Sequence, residues 1–159
     1  MIKVGDKIPS ATLMQMKDGG PKPVTTDQLF AGKKVALFAL PGAFTPTCSA
    51  KHLPGFIQHS DVLKAKGIDA IVCVSVNDAF VMGAWGKDQS TGEKVMMLAD
   101  GSGDFTRAVG LELDATRNGL GKRSQRYSML VDNGVVKALH IEAPGKFEVS
   151  DADTMLKDL

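Results

Sequence analysis

The segment Pro41-Gly42-Ala43-Phe44-Thr45-Pro46-Thr47-Cys48 holds two groups able to do chemistry, the thiol of Cys48 and the hydroxyl of Thr45 three residues before it. A free cysteine has a pKa of about 8.5 and is only a few per cent thiolate at neutral pH, so a nucleophilic sulfur needs a positive environment. Pro46 suits the first turn of a helix, where no hydrogen bond is lost, and Cys48 then falls in that turn facing unpaired backbone N–H groups. A helix terminus supplies about 0.3 to 1 kcal/mol, and up to about 2 when partly buried, which lowers the pKa by roughly one unit. A second cation is therefore required. Arginine fits, because it stays charged and its fork can serve a thiolate and a substrate oxygen together. Spacing does not choose among Arg107, Arg117, Arg123 and Arg126. Thr45 can donate to or accept from the reacting atoms, so the expected set is thiolate, hydroxyl and guanidinium.

Other readings of the same residues exist. Cys48 as an inert buried thiol and Thr45 as a mere helix cap are the bland ones. His52 lies one helical turn after Cys48, so it could share a face with the thiol and act as its base, as in papain-like cysteine hydrolases. Pro54 interrupts the same helix and should kink or loosen it. Cys73 sits among Val72, Val74 and Val76 and reads as a structural core thiol, with a resolving role as the minor alternative. His52, His59 and His140 show no close pairing with two cysteines, so no zinc site is expected, nor any other cofactor.

Several elements must position these groups. Val35 to Leu40 is a continuous apolar run ending in Pro41-Gly42, the mark of a parallel strand buried on both faces. From Cys48 to Lys66, Leu53, Phe56, Ile57, Val62 and Leu63 recur at helical spacing, and Gly67 closes the helix. Ile68 to Val76 is a second apolar, β-branched run, so strand, helix and strand make a right-handed crossover unit. Asn77 or Asp78 caps the next helix, which carries Phe80, Val81, Ala84 and Trp85. Trp85 reads as core, and an exposed surface on its helix suits self-association. Val95 to Ala99 is another strand, and a short helix surrounds Phe105 to Val109.

Arg126 to Asp132 and Val135 to Ala143 flank Asn133-Gly134, the pair favoured by a two-residue type I′ turn, and so form an antiparallel hairpin. Ser150, three residues before Asp153, starts a C-terminal helix as a variant capping box. Parallel βαβ units, a hairpin and a last helix make a three-layer α/β sandwich with a mixed central sheet, resembling the thioredoxin fold. The Cys48 segment then joins a buried strand to a helix, where ligands of open α/β sheets bind.

Bulk composition narrows the function. With 159 residues, 43% of them hydrophobic, the chain suits a single domain over 1–159. Nineteen basic residues against eighteen acidic leave a net charge of +1, which argues against nucleic acid or an acidic membrane as partner. No run reaches the roughly 20 apolar residues of a membrane span, and Met1 to Ser10 lacks a secretory h-region, so a cytoplasmic location is expected. Two cysteines are too few for a disulfide scaffold.

Pro41 to Ser49 resembles the peroxiredoxin active-site motif P-x-x-x-T-x-x-C, here Pro41, Thr45 and Cys48. His52 to Phe56, Val74 to Lys87, Met97 to Asp100 and Arg126 to Leu139 are similar to the type-5, or type II, branch, so the likeness covers nearly the whole chain. It implies a thiol peroxidase with Cys48 as peroxidatic cysteine, Thr45 as its hydroxyl and Arg126 as the active-site arginine. Pro41 and Phe44 match the loop that shields the sulfur from water, and the family commonly forms dimers near this loop and the Trp85 helix. Some type-5 members carry a resolving cysteine near the C-terminus, but Ala143 to Leu156 contains none. Cys73 matches the second cysteine of plant-like and bacterial members, which implies an external reductant: glutathione, glutaredoxin or thioredoxin.

The resemblance implies reduction of hydrogen peroxide and alkyl hydroperoxides through a Cys48 sulfenic acid. The rival from another class is a non-turnover redox switch or chaperone-like sensor, which reacts about once where a peroxidase cycles.

Overall fold

The computed structural model describes residues 1–159. Its centre is β3 (Lys34–Leu40), whose Val35 to Leu40 are fully buried. Alternate side chains feed two cores, since successive residues of a strand point to opposite faces. Ala36, Phe38 and Leu40 join one apolar cluster, while Val35, Leu37 and Ala39 join the other. Burying each large apolar side chain contributes about 1.5 to 3 kcal/mol, so a strand buried on both faces fixes its own position firmly.

β3 pairs in parallel with β4 (Ala70–Ser75), and β4 with β5 (Met96–Ala99). On the other side β3 pairs antiparallel with β8 (Tyr127–Asp132), which turns into β9 (Val135–Ile141). Asn133 and Gly134 both have positive φ, 49° and 80°, as the expected type I′ turn requires. A second hairpin, β1 (Thr12–Lys17) and β2 (Gly20–Thr25), completes a seven-stranded mixed sheet ordered β2-β1-β5-β4-β3-β8-β9. A separate two-stranded sheet is formed by β6 (Glu112–Ala115) and β7 (Gly121–Ser124).

Helices cover both faces. One core holds Leu53 and Phe56 of α2 (Leu53–Gln58), Leu63 of α3 (Ser60–Ala65), Met82 and Trp85 of α4 (Ala79–Asp88), and Met155 of α6 (Ala152–Leu156). The other holds Leu29 and Phe30 of α1 (Thr26–Phe30) with Phe105 and Val109 of α5 (Asp104–Val109). This is the three-layer, mixed-sheet sandwich expected.

Two local expectations need correction, and one open choice is resolved. The helix expected from Cys48 to Lys66 is in three pieces: a π-helical turn over Cys48–His52, then α2, then α3 after a break at His59. Pro54 has no N–H for the carbonyl of Ala50, and its ring crowds that carbonyl. The chain widens instead, and the Leu53 amide bonds to the carbonyl of Cys48. Of the two caps considered for α4, Asp78 does the work, accepting from the Val81 amide at 2.8 Å. Ser150 does not cap α6. Asp151 holds that position, and the Ser150 hydroxyl turns inward to Glu142.

Candidate active site

β3 ends at Leu40, and the loop from Pro41 to Thr45 carries the chain into the helix that begins at Pro46. Cys48 lies in that first turn. In the sheet, Tyr127 of β8 pairs with Ala39, so Arg126, one residue earlier, emerges beside the end of β3. Of the four arginines that spacing left open, Arg126 reaches the thiol: Nη2 donates to Cys48 Sγ at 3.1 Å. Arg107 is engaged with Ser102 and Asp104, Arg117 is exposed, and Arg123 serves the loop.

That loop is held from two sides. Asn77 Oδ1 accepts from the Ala43 amide at 3.0 Å and from the Ser75 hydroxyl at 2.6 Å. Arg123 Nη1 donates to the Pro41 carbonyl at 3.2 Å. A Cβ at Gly42 would meet Arg123 Nη1 at 2.8 Å and Thr45 Cγ2 at 3.2 Å, so any larger residue there displaces the guanidinium from the loop. Phe44 has φ of 63°, strained for a bulky residue, and its ring is 53% exposed beside Trp85, 6.4 Å between centroids. Trp85 itself is buried, and its Nε1 donates to Ser49 Oγ at 3.1 Å.

The Thr45 hydroxyl donates to the Gly42 carbonyl at 2.7 Å. With its proton so engaged, its oxygen is left to accept from a substrate, so of the two roles expected for Thr45 the geometry favours one. Cys48 is fully buried.

His52 does not serve the thiol as a base. Its Nε2 donates to the Ser150 carbonyl at 3.0 Å, and its Nδ1 accepts from Arg126 Nη1 at 2.8 Å. Both nitrogens are occupied and the ring is neutral, which removes the hydrolase arrangement and makes His52 the support that aims Arg126. Phe38, Phe56 and Phe147 surround the imidazole, with centroids 4.9, 5.8 and 5.0 Å away. Burial first, and the Arg126 charge second, push its pKa down to about 3 from an ordinary 6.5. The Arg126 guanidinium lies 5.8 Å from the centre of the Phe147 ring.

The unfolded chain takes up a proton at His52 below pH 6.5 while the fold refuses it down to about 3, so stability from this group is full above 6.5 and lost as pH falls. Glu142 acts in the same direction only below its ordinary 4.5. Urea unfolding midpoints should therefore fall between pH 6.5 and 4.5, with a flatter profile in His52→Asn. Equal slopes for the two proteins would contradict a neutral, buried His52.

Cys73 lies in β4 opposite Phe38 and Met97, fully buried and unpaired. Burial is the main cause that raises its thiol pKa well above the ordinary value. No sequence motif marks Asn77 and Arg123 as holding the loop, or His52 as supporting Arg126. The only local signal was the placement of Asn77 directly after a buried parallel strand, where loops of such sheets carry sites.

Comparison with known proteins decides the family. Residues 3–156 match the Redoxin family model. The chain is 54% identical over 162 residues to peroxiredoxin-2E, chloroplastic, of Arabidopsis thaliana, covering 99% of this chain and 69% of the relative. It is 49% identical to Arabidopsis peroxiredoxin-2B over 159 residues, covering 99% and 98%. The chain belongs to the peroxiredoxins. This peroxiredoxin superposes on the crystal structure of reduced Prx3 in complex with H2O2 from Vibrio vulnificus with a TM-score of 0.95 at 57% identity, covering 99% and 98% of the two chains. The peroxiredoxin fold is thioredoxin-like, as expected, and the protein is a thiol peroxidase of antioxidant defence. No helix of this peroxiredoxin is long and apolar enough to cross a membrane.

Proposed function

We propose that Cys48, Thr45 and Arg126 carry the peroxidase reaction, a reading supported above all by the 3.1 Å hydrogen bond from Arg126 Nη2 to Cys48 Sγ. The Cys48 thiolate attacks the terminal oxygen of HO–OR: an S–O bond forms, the O–O bond breaks, and two electrons pass from sulfur to peroxide. Cys48 is left as the sulfenic acid, and RO⁻ takes a proton from solvent to leave as water or alcohol. Arg126 stabilises the sulfur anion and the charge growing on the departing oxygen, while the Thr45 oxygen accepts from the attacked O–H. Pro41 and Phe44 belong to the loop that shields the sulfur from water, beside which hydrogen peroxide or an alkyl hydroperoxide binds.

An external thiol then attacks the sulfenic sulfur, releasing water and forming a mixed disulfide that a second thiol reduces. Glutathione with glutaredoxin, or thioredoxin, fits this step, because Cys73 is sealed in the core. We expect Cys73→Ala to retain turnover with the glutathione and glutaredoxin system while losing on the order of 1 kcal/mol of stability through the small cavity. Steady-state peroxide consumption with each reductant checks this, and loss of turnover in folded Cys73→Ala would make Cys73 a resolving thiol instead.

The chain acts as one domain over 1–159, as a homodimer and in the reducing cytoplasm. Two unpaired cysteines suit that compartment. Phe44 and Phe80, 53% and 64% exposed beside the Trp85 helix, suit a dimer surface. Sedimentation as a monomer at micromolar concentration would rule the dimer out.

A further inference from the structure

The segment between β9 and α6 supplies two of the groups that hold His52 and Arg126, yet it contains neither helix nor strand. Ser150 gives the carbonyl bonded by His52 Nε2, and Phe147 gives the ring packed on both His52 and Arg126. Such a segment needs an anchor, because the amides of Glu148, Val149 and Ser150 do not bond to main-chain carbonyls.

All three amides converge on one carboxylate. Glu148 N lies 2.9 Å from each oxygen of Glu142, and Oε2 also accepts from Val149 N at 2.9 Å, Ser150 N at 2.8 Å and Ser150 Oγ at 2.7 Å. The Glu142 amide in turn donates to the Arg126 carbonyl at 3.0 Å, so the carboxylate hangs from the residue paired with the active-site arginine. Burial alone would raise the Glu142 pKa, but the Ser150 hydroxyl and the three amides outweigh it and hold the group below its ordinary value.

We propose that Glu142 is a positioning residue for peroxide reduction: its carboxylate gathers residues 148 to 150, the Ser150 carbonyl fixes His52, and His52 fixes the Arg126 guanidinium on Cys48 Sγ. The inference rests on the reading of Cys48 and Arg126 given above. It assigns a function to a loop that carries no cysteine in this chain. A glutamine at 142 keeps one oxygen in the Oε2 place but loses the charge and sets its NH2 against the Glu148 amide, so the four donors on Oε2 are held more weakly and the Ser150 carbonyl loses its fixed position against His52.

The test is the rate of Cys48 oxidation by hydrogen peroxide, followed through the fluorescence of Trp85, the single tryptophan, which is bonded to the neighbouring Ser49. Glu142→Gln should slow oxidation by roughly ten- to a hundred-fold, as small displacements of a positioned group do, with the KM for the reducing thiol unchanged. In an Arg126→Lys background the same substitution should change the rate by less than about twofold, because the relay ends at the guanidinium. Ser150→Ala, which removes one bond to the carboxylate and keeps the carbonyl, should slow oxidation by about two- to fivefold, and it decides the matter if Glu142→Gln does not fold. Parent-like oxidation in the folded variant, or an equal fractional loss in both backgrounds, overturns the role of Glu142. A parent-like rate in Arg126→Lys alone would overturn the site reading itself, and this inference with it.

Discussion

With serine in place of Cys48, peroxide consumption in the presence of a thiol donor falls to the uncatalysed rate. An alcohol oxygen is not ionised at neutral pH and cannot form the S–O bond on which the cycle depends. The fold should survive, because a hydroxyl at this position can still accept from Arg126 Nη2, as Cys48 Sγ does at 3.1 Å. The loss would therefore be chemical, with circular dichroism and unfolding midpoint close to the parent. A Cys48→Ser protein that still turned over at the parent rate would remove Cys48 from the mechanism.

Arg126→Met should lower kcat/KM for peroxide by about 10²- to 10³-fold, the usual consequence of removing a pre-aimed donor from the place where charge develops. Two bonds vanish together in that variant, one to the sulfur and one to His52 Nδ1. The second leaves a buried acceptor unpaired, which destabilises by about 1 to 3 kcal/mol. Initial rates at temperatures well below the midpoint separate the two effects. A folded Arg126→Met enzyme within a factor of about three of the parent would contradict the arrangement, since one such donor is ordinarily worth far more.

The parts of this structure legible in the sequence are those whose cause is local. Val35 to Leu40 and Ile68 to Val76 read as strands because continuous apolar, β-branched runs mark burial on both faces. Asn133-Gly134 announced its turn through the positive φ that both positions need. Asp18-Gly19 likewise has positive φ at both positions, 53° and 83°, between β1 and β2, but Pro21 and Pro23 in β2 weaken the strand pattern around it. They are tolerated because β2 is the edge of the sheet. The Thr25 and Gln28 capping box before α1 was equally present and equally unused.

What could not be read is what depends on distant packing. Periodicity showed apolar faces after Cys48 but not the π-helical turn, which arises from the missing amide of Pro54 acting on residues already held against the core. Arg126 is 78 positions from Cys48, and only a sheet that places Tyr127 beside Ala39 brings them together. Spacing left four arginines equal, and family resemblance, rather than any local pattern, singled out the one that touches the sulfur. One helical turn between Cys48 and His52 leaves a base for the thiol open as an alternative. Both ring nitrogens of His52 are engaged, with Ser150 and Arg126, and burial keeps the imidazole neutral.

The most direct test of a buried, arginine-held Cys48 as the reacting group is intact-protein and peptide mass spectrometry after one equivalent of hydrogen peroxide, with no reductant present. One added oxygen on Cys48 and an unmodified Cys73 is the result expected. Oxygen on Cys73, or a Cys48 left untouched while peroxide disappears, would contradict the account.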